Sequence, residues 1–293
     1  VSRSSLCGGS CDWPLPPIRA DLCATRKYLL ERIRGDVVTY EVELVRQAGT
    51  QAIATVNEFN RKVFRTRGGR LGSGMGLLLE GLWGYHTNSV LLGQSAEIAW
   101  IVDHDYNDFA VVDINEHWDP STRAGEFFRV EIKAMNVGAD ESKAHFDEIS
   151  RNIGALDELV VLAWGWEADG DRVWPKITDW FMGNAREIAS LRDALHLARG
   201  GSFVQAGHCP DGCDVQFCSH VGEPLNKSGT RERISGPVSA KGANVSFAAN
   251  FGGLGRMVKA RGSEANQALA TARHASQDAA DYLNFIDRLK TTE

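Results

Sequence analysis

Long apolar runs are what this 293-residue sequence has least of. None approaches the ~18–20 residues needed to cross a bilayer, so no membrane partner is expected. The opening VSRSSLCGGSCDWPLPP lacks a basic stretch followed by an apolar one. No signal peptide is therefore expected, and the protein is read as cytoplasmic, of the bacterial intracellular type. A surplus of positive charge is also lacking: 32 Lys and Arg stand against 38 Asp and Glu, for a net charge of −6. That excludes a general polycation coating nucleic acid but leaves room for one basic face. Cysteine is sparse, six in all, and falls in two groups of three: Cys7, Cys11 and Cys23, then Cys209, Cys213 and Cys218. In a long chain without an export signal, that grouping fits metal ligation or free thiols better than a disulfide framework. There is no internal repeat and no low-complexity tract. What remains is ordinary globular material, 43% hydrophobic and 24% charged, enough for one large domain or two smaller ones.

Local patterns divide the chain into an arm with helices (1–75), a core (76–200) and a Cys/His-containing, basic C-terminal region (201–293). In the first part, a helix is expected from about Asp21 to Gly35. A strand follows, where Val38, Tyr40, Val42 and Leu44 alternate with polar residues, and then a helix over about 48–64. From Gly76 the order is helix, three strands, helix, strand, helix. The first helix carries Leu77, Leu78, Leu79, Leu82 and Trp83 on one face, with Gly76, Glu80, Gly81 and Gly84 on the other. The strands are EIAWIVD (97–103), DFAVVDI (108–114) and EFFRVEIKAM (126–135), the last two joined as a hairpin by NEHWDPSTRAG. A helix over about 139–153, a buried strand at 157–166 and a helix at 184–199 complete the core. A long helix capped by Ser263 closes the chain, with Leu269, Tyr282, Leu283, Ile286 and Leu289 inward.

The hairpin carries the chemistry. On FFRVEIKA, Glu131 and Lys133 are two residues apart and share a face, while Val130, Ile132 and Ala134 pack beneath. A carboxylate and an ammonium at the end of a buried strand are costly without a partner or a task. Mg²⁺ would supply both, taking carboxylate oxygens while keeping several waters. Lys133 would then serve a water attacking phosphorus. With the turn centred near 120–121, Asp108 lies beside Lys133 and close to Glu131, and is the first candidate for a second acid. Asp113 falls on the opposite face and Asp119 in the loop, so they follow as runners-up.

These residues resemble the PD-(D/E)xK nucleases, the fold of many type II restriction endonucleases. The resemblance lies in Glu131-Ile132-Lys133 at a strand end, an upstream acidic hairpin, and the helix–strand–strand–strand–helix–strand order over roughly 76–165. It implies an α/β core, a central mixed sheet flanked by helices, with N- and C-terminal additions. It also implies one or two Mg²⁺ bound by the upstream acid and Glu131, with Lys133 serving the water and Glu80 joining from the preceding helix. The sequence departs from the pattern in lacking a literal Pro-Asp: Asp119-Pro120 is reversed, and Asn107 precedes Asp108.

Two further groups complete the reading. His208, Cys209, Cys213, Cys218 and His220 offer thiolate and imidazole ligands at short spacings, which suits a structural Zn²⁺, with idle thiols as the alternative. Cys7-x3-Cys11 is a weaker addition to such a site. Between Asn226 and Arg273 lie eight Lys or Arg against two acids. Lys227, Arg231, Arg233 and Lys241 there, with Arg65 and Arg67 upstream, are the expected DNA contacts; a solvated loop is the alternative. In the helix expected over 139–153, Glu141, Lys143, His145 and Glu148 form a polar face, with Lys143 a phosphate contact at most. The expectation is a Mg²⁺-dependent, homodimeric endonuclease of double-stranded DNA, of type II restriction type. The alternatives are a repair or structure-specific nuclease of the same fold, or a non-catalytic zinc-containing DNA-binding protein.

Overall fold

The structure is a computed structural model. It describes residues 17–67, 74–102, 106–138, 144–198, 200–213, 218–225 and 263–290, with a few positions between; the side chains of 17–38, 263–265 and 290 are excepted. Contacts divide the chain into two units, Val1–Glu43 and Leu44–Glu293. Five helices and a mixed five-stranded sheet are present among the described residues, an α/β architecture. No described helix is long and apolar enough to cross a membrane.

The two N-terminal helices lie where they are expected, but the strand expected between them at 38–44 is overturned. One helix, α1 (Pro17–Val63), replaces the helix, strand and helix read from the sequence. Within the larger unit, Val45, Ala48, Ala52, Val56 and Asn60 are buried at helical spacing. The alternation at 38–44 is a short local coincidence; a stripe of period 3.6 over about four turns outweighs it. Asn57 ties this helix to the sheet, donating to Ile177 O at 2.9 Å and accepting from Ile177 N–H at 2.8 Å.

The second helix, α2 (Met75–Leu91), leads to β1 (Ala96–Trp100), β2 (Phe109–Asp113) and β3 (Glu126–Asn136). These three strands are antiparallel neighbours; the β2–β3 pair is the hairpin expected from the turn chemistry of its loop. The buried face of α2 differs from the expected one. Leu77 and Leu78 are exposed, whereas Met75, Leu79, Trp83, Gly84, Thr87 and Leu91 are buried. The glycine face lies on the sheet because it allows close approach. A Cβ at Gly84 would sit 2.6 Å from Phe109 Cζ, and one at Gly81 3.4 Å from Trp100. Gly84→Ala is therefore expected to overpack this contact at about 1–3 kcal/mol. In a domain of this size that is a fall of several degrees in melting temperature, at roughly 2–4 °C per kcal/mol. Thermal denaturation checks it, and an unchanged midpoint would show that α2 shifts freely.

After β3 the chain does not form the expected helix in its described part. Residues 139–143, including Glu141 and Lys143, lie outside the described residues. From Ala144 the backbone is irregular, with a single 3-10 turn at Ser150–Asn152. Ala144 and Phe146 are buried with His145 exposed between them, a two-residue alternation that suits extended chain rather than helix. The strand β4 (Glu158–Asp169) then pairs parallel to β3. An unanticipated strand, β5 (Arg172–Asn184), returns antiparallel along β4 and forms the sheet edge. Pro175 within it is tolerated because an edge strand can do without one ladder N–H.

The helix α3 (Ala185–Ala198) follows as expected. The closing helix is two, α4 (Ser263–Ala275) and α5 (Gln277–Lys290). Ser276 separates them and its Oγ accepts from Ala279 N–H at 3.3 Å, an N-cap additional to the one expected at Ser263. Tyr282, Leu283 and Ile286 pack with Leu159, Val161, Ile188 and Leu195 into one core under β3 and β4.

Candidate functional site

Two groups of side chains have the chemistry of a site. The first stands at the open end of β3. There β2 begins at Phe109, opposite Val130, and Asp108 N–H still donates to Val130 O at 3.1 Å. Beyond that point the β2-side amides of β3 have no strand to bond, and a buried amide must find an acceptor. Two carboxylates provide it. Asp108 Oδ2 accepts from Ile132 N–H at 2.9 Å, and Glu80 Oε1, reaching down from α2, accepts from Ala134 N–H at 2.7 Å. Glu131 and Lys133 form a close ion pair on the neighbouring strand positions. The Glu131 side chain is 7% exposed and that of Lys133 25%. Val130 and Ile132 are fully buried on the alternate face, as the alternation required.

The electrostatics describe one coupled cluster. Burial pushes the Glu131 carboxyl up to about 8; Lys133 pulls it down, and the charges of Asp108 and Glu80 add to the rise. Glu80 is likewise raised, first by burial, against the Ala134 amide and Lys133. For Lys133, burial works against the ammonium, but Glu131, Asp108 and Glu80 outweigh it and hold the pKa above its ordinary value. Three carboxylates thus surround one cation, and Glu131 Oε2 is buried without a hydrogen-bond partner among the described residues. Such a cluster is short of positive charge. The three acids do not form a tight oxygen cage: among the described residues, only the Cys/His group discussed below brings three or more ligand atoms within 4.8 Å of one another.

The hairpin register differs from the expected one by two residues. Continuing Phe109↔Val130, Asp108 lies across from Glu131 rather than Lys133. A slip of two keeps the side chain on the same face, so the grouping survives. The runner-up acids are elsewhere. Asp113 Oδ1 accepts from Asn115 N and Nδ2, and Asp119 accepts from Ser121 and Thr122 in the exposed turn. Both spend their oxygens on turn geometry, the ordinary use of Asp at such places.

The second group lies in the loop after α3. The ligand atoms of Cys209, Cys213, Cys218 and His220 all fall within 4.8 Å of one another. His220 Nδ1 is 3.3 Å from Cys209 Sγ and 3.5 Å from Cys213 Sγ, so Nδ1 is the nitrogen turned inward. His208 is not part of it; its Nδ1 lies 3.0 Å from Ala206 O. Cys209 is held below its ordinary pKa: burial opposes ionisation, but hydrogen bonds from His220 and Cys213 outweigh it. Cys213 is pushed up to about 11, first by its hydrogen bond with Cys209, then by burial and the charge on Cys209. One thiolate therefore suppresses the next, a conflict that a bound divalent cation removes. Three thiols and an imidazole form a tetrahedral donor set, and this group can bind a metal such as zinc. Cys7 and Cys11 lie outside the described residues.

Lys227, Arg231, Arg233 and Lys241 lie outside the described residues. Arg65 pairs with Asp169 at 3.2 Å and Arg67 with Asp171 at 3.1 Å, at the β4–β5 turn. Glu148 accepts from Asn152 Nδ2 at 2.5 Å. Comparisons with known protein families, with curated proteins and with solved structures found no match to this chain.

Proposed function

We propose that this protein is a Mg²⁺-dependent endonuclease of double-stranded DNA, built on the PD-(D/E)xK plan and of the type II restriction kind. The observation that carries the reading is the convergence of Glu80, Asp108, Glu131 and Lys133 at the open end of β3. The donor set suits a hard cation: three carboxylates, one with an orphaned buried oxygen. Glu131 would hold the ion with Asp108, and Glu80 would join from α2. Bound there, Mg²⁺ supplies a Lewis acid for a phosphate oxygen and lowers the pKa of a water. Lys133 Nζ supplies direction: held protonated by the three acids, it donates to that water and to the charge developing on phosphorus. With a cation held by those acids, the field that keeps Nζ protonated would weaken, and the neutral amine would then take the proton of the attacking water.

Cutting both strands of a duplex takes two such sites, and two-fold symmetry is the commonest way to bring them together, so we place the enzyme as a homodimer. The Cys209, Cys213, Cys218 and His220 group would hold a structural zinc. Free thiols in that arrangement suit a reducing, intracellular compartment. The same group favours a second reading, a zinc-containing DNA-binding protein without catalysis. Incubation with mixed plasmid DNA separates the two. Discrete fragments with Mg²⁺ and none with EDTA are expected of the nuclease. Intact plasmid under both conditions, with DNA retained in a mobility-shift assay, would replace it by the binding protein.

A further inference from the structure

The outer face of α2 is apolar and exposed. In Met75–Leu91 the only Asp, Glu, Lys or Arg is Glu80, and its carboxylate is turned to the Ala134 amide. Leu77, Gly81 and Tyr85 follow at i, i+4 and i+8, one stripe along the helix, with Leu78 beside it. Leu77 is 76% exposed, Leu78 38% and Tyr85 62%. Trp100 of β1 widens the stripe: its ring edge lies 3.4 Å from where a Cβ on Gly81 would sit, and it is 52% exposed. A helix that is apolar on both its inner and outer sides is ordinarily enclosed. These four side chains expose roughly 500 Å². One side of a standard interface needs a similar apolar area, about 65% of about 800 Å².

We propose that this face is the contact between two copies of the chain, with α2 packing on the α2 of a second copy across a two-fold axis. At a net charge of −6, two copies repel over most of their surface, and an uncharged face is where they can approach. Such a face is complementary to itself, as a two-fold contact requires. An extended peptide is a poorer occupant. It would add to the edge strand β1, whose outward Ile98 amide already donates to Asn88 Oδ1 at 2.8 Å. The choice of a second copy rests on the homodimer reading above and deepens it by naming the face. Glu80 lies on the flank of the same helix, so each acid cluster stands about one helix diameter, roughly 10–12 Å, from the contact.

The test is sedimentation equilibrium of the full chain without DNA, for wild type, Tyr85→Glu and Leu77→Glu. Wild type is expected at twice the chain mass at micromolar concentration. Each variant should associate at least roughly 30-fold more weakly, the scale of losing a central anchor of an interface. Both positions are exposed, so the circular dichroism of the variants should match wild type. Hydroxyl-radical labelling reads the same face in wild type with no substitution. In the dimer, Leu77 should be labelled several-fold less than Leu197 of α3, which is 54% exposed. Should a variant fail to fold, this labelling decides alone. Monomeric wild type overturns the proposal and the homodimer with it; if that monomer cuts plasmid, the nuclease stands without this partner. A dimer that persists in both variants, or one in which Leu77 is labelled as readily as Leu197, overturns the face and leaves the homodimer. A dimer with Leu77 protected that cuts no DNA supports the proposal and removes the nuclease alone.

Discussion

Lys133→Ala is expected to fold, to bind DNA about as well as wild type, and to cleave it at least roughly 10²-fold more slowly. That loss corresponds to about 2.7 kcal/mol of transition-state stabilisation. The lysine side chain is a quarter exposed and is paired with Glu131, so its truncation opens no large cavity in the core. What it removes is the cation paired with Glu131 and, on the proposed reading, the donor for the attacking water. Glu131→Ala should be equally inactive, but by losing the metal ligand, so raising Mg²⁺ should not restore it. Asp108→Ala should match Glu131→Ala and also lose stability, because it leaves the Ile132 amide without its acceptor. Asp113→Ala and Asp119→Ala should cleave at the wild-type rate, since their oxygens serve turns. Plasmid cleavage rates measured side by side decide this. If Lys133→Ala and Glu131→Ala both cut normally, the chemistry is not at this site and the nuclease reading fails.

Protein purified without chelator should carry about one zinc per chain, and Cys213→Ser should lose it. The cluster is partly exposed and has little core of its own, so the metal rather than packing would hold the loop together. Its ligands are tied into the body of the fold nearby. Arg151 donates to Ser219 O at 3.0 Å, and His196 Nε2 lies 2.9 Å from Leu225 O. Loss of the metal should therefore cost about 3 kcal/mol, or roughly 6–12 °C in melting temperature. Cleavage measured well below that midpoint should fall by much less than in Lys133→Ala, because the acid cluster is a separate group. Elemental analysis paired with thermal denaturation checks both halves. Metal-free protein with a wild-type melting temperature would reduce the four residues to idle thiols beside a histidine.

Much of the acid cluster was legible in the sequence because strand periodicity is local. Glu131 and Lys133 share a face wherever that strand lies, and the Asp-Pro and Gly of the intervening loop required the hairpin. The grouping of Asp108 tolerated a misplaced turn centre, since a register error of two does not change faces. The Cys and His spacing pointed to a shared site for the same reason: ligands close in sequence are close in space. It did not decide between His208 and His220, which differ only in how the loop turns.

Other features were out of reach of local pattern. The strand expected at 38–44 lies inside a helix whose stripe becomes clear only over several turns. The helix expected over 139–153 gave way to extended chain in its described part because Ala144 and Phe146 find their burial against a core built from distant segments.

What the sequence determined by itself is the set of short-range pairings: the β2–β3 hairpin, the ExK face, the buried β4 strand, the amphipathic α3 and the Cys/His group. Each follows from side-chain alternation, helical spacing or a turn residue within about a dozen positions. What only the tertiary structure decided is which free groups meet at the end of β3. Glu80 arrives there because glycines let α2 lie close over Phe109 and Trp100, and because the Ala134 amide, left without a strand partner, had to be satisfied. That placement is not written in spacing. It results from burial and hydrogen-bond satisfaction, which are properties of the assembled fold rather than of any local stretch.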